Sequence, residues 1–245
     1  MTINYKPVGD QGLLMEFDNK ISPAISRTIR HIMNQLEEDQ AYRSWGIREL
    51  IPTYRSILIL FDPMVTDLEA LRSQLEGLSL SLEGGASEKK RVIVIPTCYG
   101  GDMGPDLAHV AQVAGLSQEE VIRRHQAPDY LVYMLGFTPG FTYLGGLDPQ
   151  IATPRLEKAR LRIPAGSVGI AEAQTGIYPI DSPGGWQLIG RTPLQLMVPE
   201  EDPPVLIRAG DYIRFEAIDQ ETYQAIDQAI RAGSYQVKIL EEVEG

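Results

Sequence analysis

The sequence predicts an α+β chain of two domains: a small sheet covered by two helices, then an all-β barrel or sandwich entered through two further helices. Three observations predict this. Residues 13–82 alternate strand-like and helix-like apolar patterns, residues 83–90 break into a polar, glycine-bearing stretch, and residues 130–215 carry short apolar runs punctuated by Gly and Pro. The domains accordingly run 1–85 and 90–220, with 221–245 as a C-terminal tail.

In the first domain, Leu13 to Phe17 reads as a strand. Ser22 and Pro23 suit the N-cap and first turn of a helix, and Ile25, Ile29, Ile32, Met33 and Leu36 follow as one apolar stripe. Ile47 to Ile51 and Ser56 to Phe61 are two more strands. Thr66 with Glu69 forms a capping-box pair ahead of Leu68, Leu71 and Leu75, and Gly77 stops that helix. Leu78 to Leu82 alternates strictly, as a half-buried strand does. The order β-α-β-β-α-β is that of a ferredoxin-like domain.

The second domain opens with a buried strand, Arg91 to Pro96. Pro105 at a first helical position, Asp106 in the first turn and Gly115 past the end bracket one helix. Ser117 and Glu120 cap the next, which Pro128 ends. The repeated short strands that follow indicate a barrel or sandwich. The last thirty residues carry seven Asp/Glu against two Arg/Lys, which reads as a solvated helix and strand or an acidic tail.

Composition narrows the function. Hydrophobic residues make up 43% and charged residues 22%, as in ordinary globular proteins. The formal net charge is −11, with Lys and Arg scattered, so no basic face for nucleic acid or an anionic membrane is legible. No apolar run is long enough to span a bilayer, the N-terminus carries no signal-peptide pattern, and Cys98 is a single cysteine; a cytoplasmic location is expected. Three dispersed histidines and one cysteine give no metal-ligand spacing.

Three loops carry the candidate chemistry: Leu135 to Gly146, Arg162 to Gly169 continuing to Pro179, and Asp181 to Pro193. Each joins Gly, which lets backbone approach closely, to Pro, which stiffens the turn. They present Phe137, Pro139, Phe141, Tyr143, Tyr178 and Trp186. Rigid aromatic loops suit a small-ligand or peptide pocket, and equally suit a barrel core. His125 shares the inward face of Val121 and Ile122, as a proton-transfer group or as a buried, satisfied histidine. Gly185 to Thr192 has phosphate-loop spacing with Arg191 in place of Lys, but Pro193 falls where the required helix would run, so the match is rejected.

Several segments in order, Tyr99-Gly-Gly-Asp-Met-Gly-Pro-Asp-Leu107, Gly115 to Ile122, His125, Val132 to Gly145, Ile163 to Ile170, Gln174 to Pro179 and Ser182 to Pro193, resemble the family of the 5-oxoprolinase B subunit, KipI and allophanate hydrolase subunit 1. Pro7 to Asp10 and Ile51 to Tyr54 extend the resemblance loosely into the first domain. Two positions depart: Ala159 and Thr142 stand where many relatives carry Pro. The resemblance implies a cyclophilin-like β-barrel for the second domain. It also implies a hydrolase subunit, inactive alone, that opens 5-oxoproline to glutamate with ATP and Mg at the level of the complex. Its partners would be a KipA-like, carboxyltransferase-related component, the C-type subunit, and an A-type subunit. The alternatives within the family are a KipI-like inhibitor of a sporulation histidine kinase and a subunit of urea or allophanate metabolism. On that reading Arg155, Arg162 or Arg191 would hold a carboxylate or phosphate, Gln174, Thr175 and Tyr178 would read the amide, and His125 would move a proton. Each arginine could equally form a surface ion pair.

Overall fold

The computed structural model describes residues 2–20, 22–38, 41–79 and 89–243. The chain separates into two compact units, dividing between Glu88 and Lys89.

The first unit contains β1 (Asn4–Val8), β2 (Gly12–Glu16), α1 (Pro23–Glu38), α2 (Ala41–Ser44), β3 (Ile47–Pro52), β4 (Ser56–Phe61) and α3 (Leu68–Ser79). Its sheet is antiparallel throughout, in the order β1-β2-β4-β3. Alternate residues Leu13, Met15 and Phe17 join Ile57, Ile59 and Phe61 on one sheet face. Ile25, Ile29, Ile32 and Leu36 of α1 and Leu71 and Leu75 of α3 bury against them in a single core.

Three expectations change here. The sequence reading missed β1, because its residues are mostly exposed and Pro7 blurs any alternation. The expected strand from Leu78 to Leu82 is not one at its start: Leu78 and Ser79 end α3, and Leu80 to Leu82 lie outside the described residues. Gly77 does not stop α3, since glycine in a helix costs only about 1 kcal/mol and Leu71, Leu75 and Leu78 anchor both sides of it. The cap of α3 is Asp67, whose Oδ1 accepts from the Ala70 N–H at 2.8 Å, rather than Thr66.

The second unit runs β5 (Lys89–Tyr99), α4 (Leu107–Ala114), α5 (Gln118–Gln126), β6 (Tyr130–Leu135), β7 (Thr142–Gly145), a 3-10 turn (Pro149–Ile151), β8 (Arg160–Ile163), β9 (Ser167–Ala171), β10 (Gln174–Ile177), β11 (Ser182–Gly184), β12 (Gln187–Arg191), β13 (Tyr212–Ile218), α6 (Gln220–Arg231) and β14 (Ile239–Val243). Seven strands, β12-β9-β10-β7-β6-β13-β5, close into a barrel when β5 pairs back to β12 through Tyr99 with Gly190 and Cys98 with Arg191. The β5–β13 pair is parallel. Inside lie Ile93, Ile95, Val132, Leu144, Val168, Ile170, Ile177, Ile189, Ile213 and Phe215, capped by Leu107, Val110 and Val121 of α4 and α5. Strands β8 and β11 form a separate two-stranded ribbon.

Asp106 is the N-cap of α4 rather than a first-turn residue, and its carboxylate is used elsewhere. The Ser117 cap and the left-handed Gly115 stand as expected. Of the two readings of the last thirty residues, the helix and strand stands and the tail does not, for the described residues up to 243. α6 occupies most of the first half, and β14 pairs with β5 from Ile239 opposite Ile93 to Val243 opposite Lys89, inside the second unit.

The closure depends on missing side chains. A Cβ on Gly190 would stand 2.8 Å from Thr97 Cγ2 and 2.9 Å from the Cys98 carbonyl, and one on Gly104 would stand 2.0 Å from the Ile189 carbonyl oxygen. Gly104→Ala is therefore expected to lower the unfolding stability of the second unit by roughly 1–3 kcal/mol, as overpacking does. Gly77→Ala, with nothing within 4 Å, is expected to raise that of the first by about 0.5–1 kcal/mol. Urea unfolding of the two variants beside the parent chain checks both signs.

Candidate functional site

The three loops singled out by the sequence converge on one cluster outside the barrel core. Phe141, Tyr178 and Trp186 pack with Ile163, Ala171 and Leu188, and Tyr143 rests against them. Phe141 is the hub. Its ring meets Tyr143 and Tyr178 at 5.0 Å and Trp186 at 5.4 Å, all edge-to-face. Phe137 joins it at 5.7 Å. The guanidinium of the exposed Arg155 lies 5.9 Å from the Trp186 ring. Burial pushes the Tyr178 hydroxyl up to about 12, against the pull of Arg155 and the Trp186 backbone.

Within the cluster, exposure separates two roles. Phe141, Tyr178 and Trp186 are at most 5% exposed, whereas Phe137 is 63% exposed. Phe137 also has φ +68°, in the left-handed region that bulky residues avoid. The turn imposes it: the Gly136 N–H donates to the Phe141 carbonyl, the Phe141 N–H to the Thr138 carbonyl, and Gly140 supplies a further positive φ. Pro139 is exposed at the tip.

The remaining expected site residues are placed elsewhere. His125 is wholly buried, with Phe215 4.5 Å and Tyr130 5.5 Å from its ring. Thr175 Oγ1 donates to the Gly169 carbonyl, so it accepts from His125 Nε2–H at 2.8 Å; Nδ1 then accepts from the Tyr99 hydroxyl at 2.8 Å. Burial presses the histidine down to about 3, so the ring is neutral. Both nitrogens are engaged and neither reaches a surface. The expected proton-transfer role therefore gives way to a polar tie between α5, β5 and β10.

Thr175 is spent on that tie inside the barrel, while Tyr178 belongs to the aromatic cluster and Gln174 is half-buried at the start of β10. The three do not form one amide reader. Arg162 is paired with Asp181 at 2.6 Å, the surface ion pair that was its alternative. Arg191 stands at the other end of β12 from the cluster. The glycine-bearing stretch before it runs into strand β12, as its rejection as a phosphate loop anticipates.

Sequence reasoning missed Asp106 and Arg160. The Asp106 carboxylate accepts from Arg160 at 2.7 Å and from the Leu188 N–H at 2.6 Å, and Arg160 also donates to the Trp186 carbonyl at 3.3 Å. The pair fixes β12 and the backbone of Trp186 from behind. Its signal was present, since Asp106 lies in the first matched segment.

The family model of the carboxyltransferase domain, subdomain C and D, matches residues 3–207. The chain is similar to a protein of Bacillus subtilis (strain 168) named as the B subunit of 5-oxoprolinase, at 40% identity over 92% of this chain and 98% of that one. It is similar to a protein of the same name from Escherichia coli O157:H7, at 41% identity over 85% and 93%. The crystal structure of the Kluyveromyces lactis urea amidolyase superposes with a TM-score of 0.80 at 22% identity, covering 99% of this chain and 16% of that one; this likeness concerns the fold.

The neutral His125 carries a pH signature. The unfolded chain takes its proton near 6.5, the folded chain only near 3. The contribution is thus whole above pH 6.5 and falls by about 1.4 kcal/mol per pH unit as pH drops toward 3. His125→Gln is expected to be less stable at pH 7 yet to lose one proton's worth of this slope. Urea melts at pH 7, 6, 5 and 4 measure it; equal slopes would refute the assignment.

Proposed function

The chain belongs to the family of the carboxyltransferase domain, subdomain C and D, and from that membership we propose that it works as the B-type subunit of an ATP-dependent 5-oxoprolinase. The observation that carries the reading is the match, along nearly their whole length, to relatives bearing that name. On this reading the closed barrel is cyclophilin-like. The β2-β4-β3 order of the first unit is the ferredoxin-like core, with β1 at the edge beside β2.

Opening a lactam needs a carbonyl made more electrophilic than a resonance-stabilised amide, and ATP would supply that by phosphorylating the carbonyl oxygen. The described residues do not fit a nucleotide cradle, because the glycine-bearing segment at 185–192 leads into a strand and Pro193 rather than a helix N-terminus. Nor do three His, Cys, Asp or Glu side chains converge among the described residues, as a metal site on this chain alone would require. We therefore assign ATP and Mg to the partner subunits and route no step through them here.

What this chain contributes is position and exclusion of water. Arg155, held against Trp186 and without a carboxylate partner among the described residues, takes the carboxylate of 5-oxoproline. Phe137 projects from the cluster as the anchor for the carboxyltransferase-related C-type subunit, which completes the site and makes activity a property of the complex. The complex works in the cytoplasm.

Reconstitution tests this. The chain with the A-type and C-type subunits of its own source is expected to release glutamate from 5-oxoproline only with ATP, and the chain alone to release none; an inactive, properly assembled complex would sink the reading. Phe137→Ala should leave the melting temperature nearly unchanged and weaken association with the C-type subunit in a pull-down. Trp186→Ala should instead melt early, since it removes a buried ring at a cost of about 3–5 kcal/mol. Arg155→Ala should raise KM for 5-oxoproline about tenfold in an assembled complex.

A further inference from the structure

Leu161 is 95% exposed, the most exposed large apolar side chain among the described residues. A lone leucine at a surface is ordinary. This one is turned outward by the backbone. In the two-stranded ribbon Ile163 pairs with Ser182 and Arg160 with Gly184, so Leu161 and Arg162 both stand opposite Pro183. The extra residue on β8 is a β-bulge. In a regular strand Leu161 would share the face of Ile163, which is fully buried in the aromatic cluster. The bulge breaks that alternation and leaves the leucine in water.

Its chain neighbours are tied to the cluster on both sides. Arg160 donates to the Trp186 carbonyl at 3.3 Å and to Asp106 at 2.7 Å, and Ile163 packs with Phe141, Tyr178 and Trp186. Phe137, the other outward apolar side chain here, reaches the same cluster through the Phe141 ring at 5.7 Å. Two separate backbone irregularities, a bulge and a left-handed residue, thus each present one large apolar side chain from supports that share one packed base.

The leucine also sits in a basic stretch of an acidic protein. Residues 155–162 hold Arg155, Lys158, Arg160 and Arg162 against Glu157 alone, in a chain of net charge −11. Arg160 and Arg162 are taken by Asp106 and Asp181. Lys158 is exposed and makes no ion pair among the described residues. We propose that Leu161 and Lys158 form a docking point for a partner protein whose surface offers an apolar recess rimmed by carboxylates. That this partner is the C-type subunit rests on the function proposed above. The contact is made by side chains: β8 pairs only with β11, and a bulge spoils its free edge as a template for an added strand.

Calorimetric titration of the purified chain with the C-type subunit of its own source, without ATP or 5-oxoproline, tests it. Leu161→Asp should weaken binding roughly tenfold or more and leave the melting temperature unchanged, since the side chain is almost wholly in water. Leu161→Met, which keeps an apolar side chain, should retain most of the affinity. Lys158→Glu should weaken binding severalfold and flatten its dependence on salt. Val113→Asp, at an exposed apolar residue of α4, should leave affinity unchanged. Were Leu161→Asp to melt early, Leu161→Met and Lys158→Glu decide the matter. Affinity of Leu161→Asp within about twofold of the parent, an equal loss with Val113→Asp, or no binding by the parent chain would overturn the proposal. Glutamate release by the complete complex is measured separately: its absence removes the activity and leaves this docking point standing where the affinities behave as stated.

Discussion

The second unit depends on one short closure, where two residues at the end of β5, Cys98 and Tyr99, pair with Arg191 and Gly190 of β12. So few pairs would hold a barrel weakly, and the chain doubles the join. The loop after β5 turns back onto β12: the Gly100 N–H donates to the Ile189 carbonyl, the Asp106 N–H to the Leu188 carbonyl, and the Asp106 carboxylate accepts from Leu188 and Arg160. Such contacts need backbones closer than side chains permit, hence the glycines at 104 and 190. Once β12 is fixed, Trp186 is set at one end of it and Arg191 at the other.

The aromatic cluster combines a packed base with a strained tip. Phe141, Tyr178 and Trp186 behave as a second small core laid against the barrel wall. Phe137 does not. It holds a left-handed backbone conformation that costs a bulky residue of order 1–3 kcal/mol, and in the free chain it returns most of its ring to water. Folding gains little from that arrangement. It makes sense for a residue whose burial is completed by another surface, as the proposed contact with a partner subunit would do.

Interior polarity is handled in the opposite way. His125, Tyr99 and Thr175 satisfy one another completely, and a neutral imidazole in a fixed tautomer links a helix to two strands through the core. A satisfied network of this kind specifies one packing of α5 against the barrel. Elsewhere in the second unit Thr138 Oγ1, Ser167 Oγ, Gln187 Oε1 and Arg191 Nε are buried without such a partner.

Much was legible in the sequence because it is local. The stripe from Ile25 to Leu36, the alternation of Leu13 to Phe17 and of Ile57 to Phe61, the left-handed Gly115 and the Ser117 cap all follow from period and backbone preference, and the resemblance carried the family. The sequence also singled out the loops bearing Phe137, Phe141, Tyr178 and Trp186. It did not reveal β1, an edge strand held by pairing rather than by a pattern of its own, nor where β14 pairs, nor that α3 continues through Gly77. Loop composition could not tell the exposed Phe137 from the buried Trp186. Helical spacing put His125 inward without showing that Thr175, fifty residues on, would consume its proton. The sequence by itself determined most of the segments that are strands or helices and which residues are rigid, aromatic or charged. Only the tertiary structure decided which of these meet, which are satisfied and which face outward, because those depend on closing a barrel by pairing Cys98 with Arg191 and Tyr99 with Gly190, far apart in the chain, and on the water that closure removes.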